Sequence, residues 1–253
     1  MRIVIHASAA AASRGLADFL ARSLRRTPAL VLGLPTGRTP IGLYADLVHL
    51  SRQGRADFSR AMTFNLDEFV GLGARDPRSY HAFMRRNLFD HVNVASSRLQ
   101  FLNGRARSWR REAARYERLI AAAGGLDLVI LGIGDNGHLG FNEPASSLEP
   151  HTHCAVLRPR TRRANAWLFG GDWRRVPRRA LSMGIGTILS ARGVVLLATG
   201  SAKAAIVRRA IAGPVTTRVP ASLLQLHPNV VVVLDRDAAA RLSRRRRRRR
   251  AAP

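Results

Sequence analysis

Residues 126–144 read LDLVILGIGDNGHLGFNEP. The apolar run Leu126–Leu131 is too short for a typical helix and ends on glycine. Such a run reads as a strand covered on both faces. The loop that follows it is polar beyond what a turn requires. Asp135, Asn136, His138, Asn142 and Glu143 are spaced by Gly132, Gly134, Gly137 and Gly140. Those glycines let the backbone approach a ligand closely. The segment therefore reads as a buried strand that delivers hydrogen-bonding side chains at its carboxyl end.

Working outward, six more apolar runs have the same character: Ile3–His6, Leu30–Leu34, Met62–Leu66, Leu99–Leu102, Val194–Ala198 and Val230–Leu234. Amphipathic segments separate them. Trp109, Ala113, Tyr116 and Ile120 fall at helical spacing, and Gly124 stops that helix. Alternating strands and helices predict an α/β fold: a doubly wound, mostly parallel sheet flanked by helices, Rossmann-like in a modified form. No internal repeat is visible. Residues 151–179 are less regular and rich in arginine, and read as a mobile lid over the sheet edge. The expected organisation is one domain over 1–240, followed by a disordered arginine-rich tail over 241–253.

The chain has 253 residues and a net charge of +26, with one lysine, Lys203, among 42 basic residues. Such uniform use of arginine reads as compositional bias rather than a dedicated binding patch. Arg244–Arg250 is an unbroken arginine run. It predicts nonspecific contact with polyanions at most, so nucleic acid is not an expected specific partner. The single cysteine, Cys154, excludes an intramolecular disulfide and a thiolate metal cluster, and fits a reducing cytosol. The N-terminus, interrupted by His6, Arg14 and Asp18, reads as a strand and helix rather than a leader. No apolar run approaches the roughly 18 residues of a membrane span, so a cytoplasmic protein is expected.

In open α/β sheets, ligands bind at the carboxyl ends of the strands. Leu34 is followed by Pro35-Thr36-Gly37-Arg38-Thr39-Pro40, with Thr39 placed to cap a helix through Ile41, Leu47 and Val48 and Pro40 at its first position. That helix start suits phosphate, and alone it reads equally as an ordinary capped turn. Ala198 is followed by Thr199-Gly200-Ser201-Ala202-Lys203, with Ser201 as the expected cap. A lysine in the first helical turn opposes the helix dipole, and a bound anion would explain it. Asp67, after Leu66, reads either as a carboxylate base or, with Glu68, as a capping or salt-bridged pair. His138 with Glu143 reads as an acid/base imidazole oriented by a carboxylate, with Asn136 as a further hydrogen-bonding partner. Other readings of this region are weaker. The residues after Gly134 do not open a helix as a dinucleotide fingerprint requires. Ser146 and Ser147 lack a nucleophile-elbow pattern. His151 and His153 lack the spacing of a zinc site.

Taken in order, LGLPTGRTP (32–40), FNLDEFVGL (64–72), SYHAFMRRNLFDHV (79–92), LGIGDNGHLGFNEPASSL (131–148), ALSMGIGTIL (180–189), TGSAKA (199–204) and LLQLHPNVVVVLD (223–235) resemble the glucosamine-6-phosphate deaminase family. The resemblance runs from about Leu30 to Asp235. It implies conversion of glucosamine 6-phosphate to fructose 6-phosphate and ammonia, without metal or organic cofactor, on a small sugar-phosphate substrate. It allows for a homo-oligomer. It implies that His138 moves the proton that opens the pyranose ring, with Asn136 and Glu143 holding the imidazole. Asp67 would take the C2 proton and return one at C1. Thr36, Gly37, Arg38, Thr39 and Lys203 would hold the phosphate. The related 6-phosphogluconolactonases share the fold and parts of the first and last motifs, and make a sugar-phosphate hydrolase the alternative. A nonenzymatic sugar-phosphate or polyanion binder is a third reading.

Two positions depart from the family pattern. Its lid commonly reads Asn-Ala-Arg-Phe-Phe, and here Asn165-Ala166-Trp167-Leu168-Phe169 puts Trp167 in place of the arginine. Its phosphate loop commonly has a glycine pair, and here it reads Gly37-Arg38. Arg38, Arg162 and Arg163 are the candidates to replace the missing guanidinium. The basic residues used for allosteric control in some relatives are not evident at 153–156.

Overall fold

The structure is a computed structural model and describes residues 1–243. The strands in chain order are β1 (Arg2–His6), β2 (Val31–Leu34), β3 (Met62–Asn65), β4 (Asp67–Phe69), β5 (Leu99–Gln100), β6 (Leu128–Leu131), β7 (His153–Val156), β8 (Arg179–Ser182), β9 (Gly193–Ala198) and β10 (Val230–Asp235). The α-helices are α1 (Ala9–Arg26), α2 (Pro40–Arg52), α3 (Tyr80–Asn87), α4 (Trp109–Ala122), α5 (Pro159–Asn165), α6 (Ile185–Leu189) and α7 (Ala204–Ala212).

All seven expected strands pair in one parallel sheet, in the order β1-β10-β9-β6-β2-β3-β5. Side chains of β6 show why its sequence is apolar throughout. Val129 and Leu131 enter the core on the α4/α7 side, with Tyr116, Ile120 and Val207. Leu128 and Ile130 enter the core on the α1/α2 side, with Leu16, Leu43 and Leu47. A sheet covered on both faces leaves no polar position in the strand. Gly33 of β2 permits close contact with β6, since a Cβ there would lie 2.9 Å from Val129 Cγ2. The helix expected through Trp109 is α4, with Ala113, Tyr116 and Ile120 buried and Gly124 at φ 80° beyond its end.

Several expectations are corrected. Residues 151–179, expected as a less regular lid, are built from regular elements. They contribute β7, α5 and the start of β8, and β4-β8-β7 form a second, antiparallel sheet. Under this cap lies an aromatic cluster of Phe69, Tyr80, Phe141 and Phe169, with ring centroids 4.7–6.0 Å apart. Thr39 makes no capping hydrogen bond and already has helical φ and ψ, although Pro40 does hold the first helical position. Ile41 faces outward at 37% exposure, while Leu47 and Val48 are buried as expected. Ser201 does not cap a helix. It opens a 3₁₀ turn over Ser201–Lys203 that precedes α7, and Lys203 is the flanking residue of the α-helix. The core also reaches past residue 240, because Leu242 is buried among Ala238, Ala239 and the central cluster. The Arg244–Arg250 run lies outside the described residues. Among those described, no helix is long and apolar enough to cross a membrane.

Candidate active site

The chain leaves β2 toward β3 on one side and leaves β6 toward β9 on the other. The crevice at such a reversal, outside the carboxyl ends of the strands, is where doubly wound sheets bind ligands. A cavity of about 390 Å³ lies here. Thr36, Gly37, Arg38 and Thr39 line it from the β2 loop, Asp67 from the start of β4 just beyond β3, Gly134, Asp135 and His138 from the β6 loop, and Lys203 from the β9 loop. Tyr80 of α3 and Asn165 and Trp167 of the cap complete it. Residues far apart in the chain thus meet because each follows a parallel strand.

Asp67 is 6% exposed, and its Oδ1 accepts a long hydrogen bond of 3.4 Å from Thr36 Oγ1. Burial pushes its carboxyl from 3.8 up to about 8; the neighbouring Glu68 adds to the rise, and the Thr36 hydroxyl opposes it. Glu68 itself is 2% exposed and faces away from the cavity. It accepts from the backbone N–H groups of Phe69 (2.8 Å), Tyr80 (3.0 Å) and His81 (2.9 Å). Burial raises it to about 7 against the pull of these hydrogen bonds. Asp67 and Glu68 are therefore not a salt-bridged pair. One faces the cavity, and the other ties β4 to the start of α3.

His138 is held differently from the expectation. Its Nδ1 lies 2.7 Å from Asn136 Oδ1, and Asn136 Nδ2 donates to Glu143 Oε2 at 2.7 Å. Glu143 Oε2 is 3.9 Å from the imidazole, beyond a hydrogen bond. Asn136 thus stands between the carboxylate and the ring. Because its amide nitrogen is committed to Glu143, its oxygen accepts, and Nδ1 must carry the proton. That leaves Nε2 as the basic atom. Burial lowers the imidazole pKa, Glu143 opposes this and Lys203 adds to it, so the ring is neutral near pH 7. Gly134 is needed for this placement, since a Cβ there would lie 2.1 Å from His138 Cε1. The other oxygen of Glu143 accepts from Thr161 Oγ1 of α5, which couples the cap to the imidazole through two intermediaries.

Lys203 Nζ pairs with Asp135 Oδ1. Burial raises the Asp135 carboxyl, but the Lys203 hydrogen bond and charge, with Arg160 and His138, outweigh it and bring it below its usual value. Asp135 therefore accounts for the lysine beside this helix start without a bound anion. Of the three candidate arginines, only Arg38 lines the cavity. Arg162 donates to the carbonyls of Val176 and Arg174 and, like Arg163, lies over Trp173. Tyr80 and Thr161 were not assigned from the sequence; Asn165 was read only as part of the lid motif, and Glu68 only as a capping alternative, which its bonds to the start of α3 bear out. The Ser79-Tyr80 start of a recognised motif was the signal for Tyr80, and Thr161 left none. Among the described residues, no group of three His, Cys, Asp or Glu side chains is placed to hold a metal ion.

The fold and the site define a class of α/β protein in which polar side chains carried at the carboxyl ends of several parallel strands converge over one cavity. Within it, the chain belongs to the family of glucosamine-6-phosphate isomerases and 6-phosphogluconolactonases, whose pattern matches residues 5–233. It is 43% identical to a glucosamine-6-phosphate deaminase of Thermoanaerobacter pseudethanolicus, over 95% of this chain and 94% of that one. It is 46% identical to the glucosamine-6-phosphate deaminase of Hahella chejuensis, over 96% and 92% of the two chains. A solved structure described as a monomeric glucosamine-6-phosphate deaminase superposes with a TM-score of 0.92 at 40% identity, covering 95% of this chain and 100% of that one. The 6-phosphogluconolactonase of Trypanosoma cruzi shares the fold, with a TM-score of 0.73 at 23% identity, over 96% and 97% of the chains.

Proposed function

We propose that the chain converts glucosamine 6-phosphate and water to fructose 6-phosphate and ammonia. The observation that carries this reading is the meeting, in one cavity, of an imidazole whose Nε2 is free and a buried carboxyl group from a different part of the chain. His138 Nε2 takes the proton of the ring hydroxyl and returns it to the ring oxygen, opening the pyranose. The exposed C1 carbonyl acidifies the C2–H. Asp67 removes that proton to give an enolamine and then protonates C1. The resulting C2 iminium adds water and expels ammonia, leaving the ketone. The substrate's own ammonium at C2 favours ionised Asp67 by opposite charge, countering the burial that holds the free carboxyl protonated. Thr36, Gly37, Arg38, Thr39 and Lys203 surround the place of the 6-phosphate. Lys203 would then share its charge between Asp135 and the phosphate.

All these residues come from one chain, so the reading needs no second copy. The single cysteine and a small phosphorylated substrate support a cytoplasmic location. The test is a coupled assay for ammonia and fructose 6-phosphate. Wild type releases both from glucosamine 6-phosphate, while Asp67→Asn binds substrate and turns over at least ~100-fold more slowly. Wild-type hydrolysis of 6-phosphogluconolactone with no ammonia release from the amino sugar would reverse the assignment.

A further inference from the structure

The two positions that depart from the family pattern touch each other. Arg38 Cζ lies over the Trp167 ring, 5.5 Å from its centroid. Trp167 is half-buried and packs edge-on against Phe83, with centroids 6.2 Å apart, so its ring is braced from the core. Both side chains line the cavity. Among the described residues, Arg38 has no carboxylate partner, whereas the other cavity cation, Lys203, is paired with Asp135. Arg160 also acts on Asp135 but does not line the cavity. The unpaired positive charge available to an anion is therefore that of Arg38.

A guanidinium held over an aromatic face, with no carboxylate partner, keeps its N–H groups available to an anion. Such groups make bidentate contact with phosphate oxygens. Held over an aromatic face, a long side chain also loses less freedom when the anion arrives. We propose that Trp167 is a positioning residue. It holds Arg38 as a preformed phosphate clamp and joins the β2 loop to the cap when the anion binds. A separate tie, from Tyr80 Oη of α3 donating to Asn165 Oδ1 at 2.9 Å, joins the cap to α3. The clamp rests on the reading of this cavity as a sugar-phosphate site.

The test measures binding of inorganic phosphate by calorimetry, alongside KM and kcat for glucosamine 6-phosphate. The proteins are wild type, Trp167→Leu, Trp167→Phe, Arg38→Gln and the Arg38→Gln/Trp167→Leu double variant. Trp167→Leu weakens phosphate binding on the order of three- to tenfold, and its kinetic effect falls mainly on KM. Trp167→Phe, which keeps an aromatic face, recovers most of that loss. In the Arg38→Gln background, Trp167→Leu adds nothing further. The clamp is refuted if Trp167→Leu weakens phosphate equally with and without Arg38. It is also refuted if that variant loses stability and kcat with phosphate affinity unchanged. Should Trp167→Leu not fold, Trp167→Met made in both Arg38 backgrounds removes the aromatic face with less loss of bulk, and weaker phosphate binding only where Arg38 is present supports the clamp. Wild type that releases no ammonia, with phosphate binding still dependent on both residues, would overturn the proposed reaction and keep the clamp. Ammonia release with phosphate affinity indifferent to Trp167 would do the reverse.

Discussion

Asp67 shows how one buried side chain links chemistry to stability. Its folded carboxyl stands at about 8, against 3.8 for the free group. Between those values the folded chain binds a proton that the unfolded chain has lost. The stability tied to this proton is present at low pH and disappears as pH rises through the window. Asp67→Asn keeps the shape and never ionises. Its melting temperature relative to wild type should therefore climb from pH 5 to about 8 and level off above, by a few °C or more. A difference that stays constant with pH, measured by differential scanning calorimetry, would mean that the folded carboxyl is not shifted. The sequence marked Asp67 and His138 as site residues because both follow apolar strands. It did not show that Asn136 would intervene between His138 and Glu143. The intervals in DNGHLGFNEP are equally compatible with direct contact, and the route of the loop between Gly137 and Gly140, both at positive φ, decides the matter.

At the scale of elements, the short strand β4 and helix α3 work as one unit. Glu68 gathers three backbone N–H groups, two of them from the first turn of α3, where Ser79 is the cap. A carboxylate at a helix start is favoured by the dipole and satisfies donors that have no partner within the helix. This fixes Tyr80 at the cavity wall. Glu68→Gln puts an amide NH₂ among those donors and should lower stability by about 1–3 kcal/mol in urea denaturation. It also removes the charge that helps raise Asp67. The acid limb of kcat/KM, which rises with pH as Asp67 ionises in the free protein, should move to lower pH. An unmoved limb would show that Glu68 does not act on Asp67. The main strands were legible because burial on both faces writes a continuous apolar run. The second sheet was not. Its strands have three or four residues, and β4 and β7 contain Asp67, Glu68 and His153, whose polarity hides them until long-range pairing supplies their partners.

For the whole molecule, the dominant physical quantity is the charge of +26. A phosphorylated substrate approaches through a positive potential, and exposed charges are screened within about 8 Å at physiological salt. Raising NaCl from about 10 to about 150 mM should therefore lower kcat/KM while kcat holds nearly constant. Equal kcat/KM at both salt concentrations would assign substrate capture to the cavity alone. The packing of Leu242 sets the observed extent of the core. Composition placed that boundary at 240, because arginine begins there to dominate the local sequence. One buried leucine after it was enough to carry the fold two residues further.

The sequence by itself determined the α/β class, the seven-stranded parallel sheet and the residues delivered at its carboxyl ends. These follow from local patterns: unbroken apolar runs, helical spacing and glycine-bearing loops. The tertiary structure alone decided which of those residues touch. It placed Asp135 on Lys203, Asn136 between His138 and Glu143, Thr161 on Glu143 and Trp167 under Arg38. Each contact joins side chains whose meeting depends on loop path and on the docking of the cap. Hydrogen bonds and ring contacts form over a few ångströms, and no periodicity in the chain encodes distance at that scale.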